Sequence, residues 1–276
     1  MRFVVQLVAI AAVSFAGGQA LLAFQDEVWL ALAVGVVVAV LAVLVYYWTV
    51  RWTEKREVTE ALPGAAPSGT IRGTLLGVAL FSAVIGNIAA NGSYRIHGLS
   101  EHPSGAAGLA GFMLGAAVTE ELLFRGVLFR HVEKLLGTWI AFVLSAAIFG
   151  AGHLLNPNAD LWGALCVAIA GGGMLTSAYI ATRSLWLPIG LHFGWNVTAS
   201  AIFSTEVSGN GTPQGLLDAS TSGNEWISGG AFGPEASLST VMAGVIVTAV
   251  FLWMAHRRGN VVPPRWSKTP SPTLAQ

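Results

Sequence analysis

Eight apolar segments, near residues 3–24, 28–50, 73–91, 106–128, 138–155, 161–182, 185–203 and 238–256, constrain this chain more than anything else in it. About 20 apolar residues in a row span the hydrocarbon of a bilayer as an α-helix, which satisfies its own backbone polar groups where water cannot. Only 10% of the 276 residues are charged, against roughly 25% in an ordinary soluble domain, and the mean hydropathy is +0.66. The expected fold is an all-α, polytopic transmembrane helix bundle of about eight spans, with the lipid bilayer as its first partner.

The first segment resembles a signal peptide, since Arg2 precedes an apolar core and Ala20 follows small residues. The run nevertheless continues through Phe24, so a retained first helix is expected. Arg2, the 51–72 loop (Arg51, Lys55, Arg56, Arg72), Arg130, Lys134, Arg183 and the tail (Arg257, Arg258, Arg265, Lys268) all fall on one side of such a bundle. Only Arg95 falls on the other, and the positive-inside rule then makes both termini cytoplasmic in a multi-pass cell (plasma) membrane protein. Net charge is zero without a basic cluster, which argues against nucleic acid. The single Cys166 excludes an intrachain disulfide and a Cys-rich metal site.

Composition divides the chain further. Residues 1–105 carry the first three helices and a charged, then Pro/Gly/Ala-rich, cytoplasmic linker at 51–72, expected to be flexible. Residues 106–203 hold spans four to seven. The 204–237 segment lacks basic residues and is rich in Gly, Ser, Thr and Asn, which predicts a mobile exterior loop. A last span (238–258) precedes a tail (259–276) expected to be disordered. Gly111 and Gly115, at GxxxG spacing, predict close helix packing along the fourth span.

Chemistry concentrates on the polar residues inside spans. Glu120 and Glu121 are adjacent within an apolar run whose only other charge is Arg125. An ionised carboxylate at bilayer depth costs several kcal/mol in order of magnitude, so such residues are rare unless paired or used. Glu121 and Arg125 are i and i+4 with the acid first, the favourable order for an ion pair on one helix face. Glu120 has no such partner in its own helix. His153 and His192 each interrupt an apolar segment, whereas His97, His102, His131 and His256 lie in or beside predicted loops. Counted from the turn near Gly137–Thr138 at 1.5 Å per residue, Glu120 and His153 agree in depth within roughly 3 Å. His192 and Asn196 share a face by their i, i+4 spacing, but the same count from Arg183–Ser184 puts His192 only about 12 Å deep. That favours a site in the cytoplasmic half. Phe149, one turn before His153, reads as a packing aromatic.

A carboxylate and an imidazole can together deprotonate a water, while a second His and an Asn donate to a developing oxyanion. Glu120, His153 and His192 are also a possible zinc set, although HExxH is missing and three helices would have to supply the ligands. No serine has a base at suggestive spacing.

Three ordered motifs carry a resemblance. Glu120-Glu121-Leu-Leu-Phe-Arg125 matches EExxxR, Phe149 to His153 matches FxxxH, and His192 to Asn196 matches HxxxN. Together, over about residues 106–203, they resemble the CPBP family of CAAX prenyl endopeptidases and bacteriocin-processing intramembrane proteases, also called the ABI family. The compact length is similar to its bacterial members. The resemblance implies an intramembrane endopeptidase acting on membrane-associated peptide or protein substrates. It implies Glu120 as general base with His153 its partner, His192 and Asn196 as oxyanion donors, and Glu121 with Arg125 as a structural ion pair. Members are often named metalloproteases; the expectation here is water-only, glutamate-dependent chemistry with no cofactor, and zinc is the alternative. Two other functions stay open on residues alone. One is a proton-coupled transporter, for which Gly171-Gly172-Gly173 would break the sixth helix; the other is a non-catalytic self-immunity or scaffold protein.

Overall fold

The computed structural model describes residues 1–212 and 215–267. Helices α1 (Arg2–Ala23), α2 (Val28–Glu54) and α3 (Ala66–Ala90) are followed by a short strand β1 (Tyr94–Leu99). A long rod then runs as α4 (Gly105–Glu121), a π-helical stretch Leu122–Phe129, and α5 (Arg130–Leu136). Gly137, at φ +80°, turns the chain into α6 (Thr138–Gly152). A residue with Cβ would be strained there and would meet the backbone of Pro263 and Pro264. A second rod comprises α7 (Leu161–Val167), π-helical Ala168–Gly172 and α8 (Gly173–Thr182), and α9 (Trp186–Val197) ends in a π turn, Thr198–Ile202. Strand β2 (Leu217–Thr221), a single turn α10 (Glu225–Ser228) and α11 (Leu238–Arg257) complete the order.

Seven helical rods among the described residues are long and apolar enough to cross a membrane, and the chain is a multi-pass membrane protein. The eighth expected segment, 185–203, is a helix too, but of 12 α-helical and five π-helical residues. The rod Leu161–Thr182 is the centre of the bundle: 78% of its most apolar window is buried inside the protein, against 22–50% for the others. Large apolar residues such as Val8, Phe15, Val37 and Leu44 stay exposed on the outer helices, as a lipid-facing surface requires.

Glycine sets the two tightest crossings. Gly73 and Gly77 on α3 lie against the backbone of α9, and Gly190 and Gly194 on α9 lie against Thr70 and Thr74 of α3, so a Cβ at any of the four would enter backbone atoms. Gly111 approaches Gly35 of α2 in the same way, in line with the expected GxxxG packing.

Three segments expected to be loose are packed. The 51–72 linker folds as the end of α2, two 3₁₀ turns and the start of α3, because its charges have buried partners. Glu54 bonds Arg130 at 2.6 Å and Arg56 at 2.7 Å, and Glu60 bonds Arg56 at 2.6 Å and the Tyr46 hydroxyl at 2.7 Å. Glu60 thereby holds the Arg56 guanidinium above its usual pKa, against the opposing effect of burial. The 204–237 segment is not a mobile loop in its described residues. β2 pairs antiparallel with β1, in register Tyr94↔Thr221 to Leu99↔Leu217 with a bulge at Ile96/Gly98, and Phe232 is buried beside Phe149. Polar composition misleads here because the segment's backbone groups are satisfied by strand pairing and by Trp162, whose Nε1 donates to the Ala236 carbonyl (2.9 Å). The tail is a strap as far as it is described. Thr138 and Val262 exchange hydrogen bonds (2.8 and 2.9 Å), and Asn260 donates to the carbonyls of Ile180 and Ala181. The rest of the 259–276 tail, residues 268–276, lies outside the described residues.

Candidate active site

The EExxxR helix places its charges through a local change of helix type. The rod is α-helical to Glu121 and π-helical from Leu122 to Phe129, with Arg125 in the wide turn. Such stretches loosen the backbone hydrogen-bond ladder and are frequent at functional sites. Arg125 is fully buried and bonds Glu121 Oε1 at 2.7 Å, the expected ion pair. It also donates to Thr176 Oγ1 (3.3 Å) and to the carbonyls of Gly171 (3.4 Å) and Gly172 (3.3 Å). Those glycines belong to the π-helical stretch of the central rod, whose carbonyls are thereby satisfied. The guanidinium further stacks over the Phe149 ring at 4.6 Å.

Glu121 has a second partner that spacing alone did not indicate. His192 Nδ1 lies 2.9 Å from the same Oε1 that Arg125 holds. A carboxylate paired with arginine only accepts, so Nδ1 carries the proton and Nε2 is turned outward. Nε2 lies 3.9 Å from Glu120 Oε2. The two glutamates therefore flank one imidazole, and the structural pair also orients a site residue. This corrects the depth estimate for His192. The count assumed turns in a common plane, whereas the α4–α5 rod carries 15 residues beyond Glu121 and reaches into the charged network around Glu54.

Glu120, Phe149, His153, His192 and Asn196 line one cavity of about 480 Å³. Glu120 is 31% exposed while Glu121 is fully buried, so the first acid faces the cavity and the second its wall. Glu120 Oε2 and Glu121 Oε2 are two of four buried side-chain atoms among the described residues without a hydrogen-bond partner. His153 sits where α6 ends, opening the 3₁₀ turn His153–Leu155. Its Nδ1 is 2.8 Å from the Phe149 carbonyl, an acceptor, so this nitrogen too donates and Nε2 is the ring atom left free of that bond. Phe149 does more than fill space: its ring meets Arg125, His153 (4.9 Å), Phe124 (5.0 Å) and His192 (6.0 Å), and it fixes their relative positions.

The cavity reaches the end of the bundle formed by Asn156, Val207, Ser208, Asn210 and Glu235. That end is opposite the basic one, while Glu120 and Glu121 stand midway along the rod Gly105–Leu136. Glu235 was missed by sequence reasoning because it lies in the segment read as loop. Its Oε1 accepts from Trp195 Nε1 (3.0 Å) and its Oε2 from Ser208 Oγ (2.6 Å). The one available signal was Trp195, which stands inside the HxxxN motif.

Of the possible zinc set, Glu120, His153 and His192 share the cavity, yet among the described residues no three His, Cys, Asp or Glu side chains gather into a metal-holding group. His192 commits Nδ1 to Glu121 and keeps Nε2 toward the cavity, the orientation in which a histidine can also meet a metal.

Residues 102–198, which contain every motif above, match the family model described as Type II CAAX prenyl endopeptidase Rce1-like. No curated protein and no solved structure matches the chain.

Proposed function

We infer an intramembrane endopeptidase that hydrolyses membrane-associated peptides or proteins with a glutamate-activated water, a reading supported by the match of residues 102–198 to the type II CAAX prenyl endopeptidase Rce1-like model. The observation that carries this reading is the Glu120 carboxylate, which faces the cavity with a buried, unpartnered oxygen 3.9 Å from an imidazole nitrogen. A carboxylate in that setting is a base for want of any other partner.

Glu120 takes a proton from water as the oxygen attacks the scissile carbonyl carbon. His153 supports it through Nε2, the ring atom that its bond to the Phe149 carbonyl leaves free and that accepts when the ring is neutral. The developing oxyanion is met by Asn196 and by His192 Nε2. A donor at Nε2 requires the doubly protonated ring, whose charge Glu120 and Glu121 compensate from either side. Collapse breaks the C–N bond, and the proton held by Glu120 passes to the leaving amine. Glu121 and Arg125 touch no reacting atom; Glu121, itself held by Arg125, fixes the orientation of the His192 ring. Of the triple glycine, which also fitted a transporter's broken helix, Gly171 and Gly172 have a local role in this scheme as carbonyl acceptors for Arg125. We further place both termini on the cytoplasmic side of a cell membrane, on the Lys/Arg asymmetry.

The test is hydrolysis by the full-length protein in liposomes carrying a cleavable membrane-anchored peptide. Glu120→Gln and His153→Ala each remove it, and full activity in either variant overturns the assignment. Chelator titration of the same assay separates water-only from zinc chemistry, since activity lost to chelator and restored by zinc overturns the former.

A further inference from the structure

We propose that Glu235 is a specificity residue that reads a cationic side chain of the substrate, so that this enzyme prefers peptides with a lysine or arginine near the cleaved bond. The inference rests on the endopeptidase reading. Glu235 stands outside the matched segment 102–198, on the polypeptide that closes the far end of the cavity. It is only 8% exposed, yet it lines that cavity. Both of its oxygens accept hydrogen bonds, and both donors are neutral: the Trp195 indole and the Ser208 hydroxyl. Its two neutral donors fix the carboxylate but leave its charge uncompensated, and it makes no ion pair among the described residues.

The contrast with the other buried acids is sharp. Glu54, Glu60, Glu121 and Glu133 each have an arginine partner. The cavity lining holds Glu120 and Glu235 but, among the described residues, no lysine and no arginine. A buried charge without counter-ion is costly, and a cation arriving with the substrate offsets that cost where water is scarce. Asn156, Ser208 and Asn210 make the surrounding wall polar, fit for an ammonium or guanidinium rather than an alkyl chain. Trp195 links the subsite to the chemistry: its indole holds Glu235, while its helix presents His192 and Asn196 on either side in sequence.

The experiment compares kcat/KM for pairs of membrane-anchored peptides that differ only in lysine versus norleucine, the lysine being moved one position at a time along an uncharged sequence. At one position wild-type protein favours lysine by about tenfold or more, the size of one charge-assisted hydrogen bond in a shielded site. In Glu235→Gln, which keeps the shape of the side chain, that ratio falls toward one. A purely structural Glu235 would lower both rates and leave the ratio intact, and this result overturns the proposal. So does a wild-type ratio near one at every position, a measurement independent of whether the variant folds. Cleavage of neither peptide overturns the endopeptidase reading as well, whereas equal cleavage of both overturns only the role of Glu235.

Discussion

Two buried clusters of glutamate and arginine lie at different depths of this bundle, and they differ in one respect. At the basic end, Glu54 and Glu60 share Arg56 and Arg130, and Tyr46 and Gln6 occupy the remaining positions. No oxygen of that cluster is among the orphaned atoms of the described residues. In the middle, Glu121 alone holds an arginine, Glu120 and Glu121 flank one histidine, and each acid keeps an oxygen without a donor. A saturated network in low dielectric ties helices together and has nothing left with which to react. An unsaturated one keeps a base available, and the stability it forgoes is recovered only when water or substrate arrives.

Breaking the central cluster at its cavity face has the largest effect. Glu120→Gln lowers kcat by about a thousandfold, within the range of a lost general base, and leaves the unfolding midpoint in detergent within about 0.5 kcal/mol of wild type. A tenfold loss or less in single-turnover hydrolysis contradicts the division between the clusters. Breaking the basic cluster acts on stability instead. Arg130→Met takes one of two arginines from Glu54 and the donor from Gln6 Oε1, and costs about 3 kcal/mol, the lower end for removing one partner from a buried pair because Arg56 still reaches Glu54. Equilibrium unfolding in mixed micelles measures it, and specific activity per folded molecule stays near wild type. If hydrolysis fell while stability held, the basic cluster would not be merely a clamp.

Intermediate effects sharpen the comparison. Glu121→Gln retains an acceptor for His192 but removes the charge that pairs Arg125, and lowers kcat by about 10–100-fold, as loss of an orienting partner does. Its signature is kcat reduced with KM little changed, and an unaltered kcat would return Glu121 to a purely structural role. The smallest effect belongs to Lys134, which reaches Glu54 at 3.2 Å from a half-exposed position. Lys134→Ala changes stability by less than about 1 kcal/mol because water screens that pair, and a larger loss in the same unfolding assay would show it to be part of the clamp.

Much of the site was legible because helical spacing is a local rule. Glu121 and Arg125, Phe149 and His153, and His192 and Asn196 are each i and i+4, and each pair stands on one helix face as expected. Contacts between helices were not legible in the same way. Nothing in the spacing says that His192 bonds Glu121 across 71 residues, or that Trp195 bonds Glu235 across 40. Packing of α4 against α9 decides the first. Burial of Phe232 and the bond from Trp162 to Ala236, which seat the closing segment, decide the second. Polar composition gave the wrong expectation for the described parts of 51–72, 204–237 and the tail, because it reports solubility of the side chains and not where the backbone finds its partners.

The sequence by itself determined that this chain is a helical membrane protein. It also determined which helix faces carry acid, imidazole and amide, since bilayer thickness and the 3.6-residue repeat act on consecutive residues. Only the tertiary structure decided that both glutamates surround one histidine, that the cavity extends to the end of the bundle away from the basic one, and that Glu235 lines it there. Those facts depend on how far apart in the chain two helices can lie and still touch, and that distance is set by packing between helices rather than by any repeat within one.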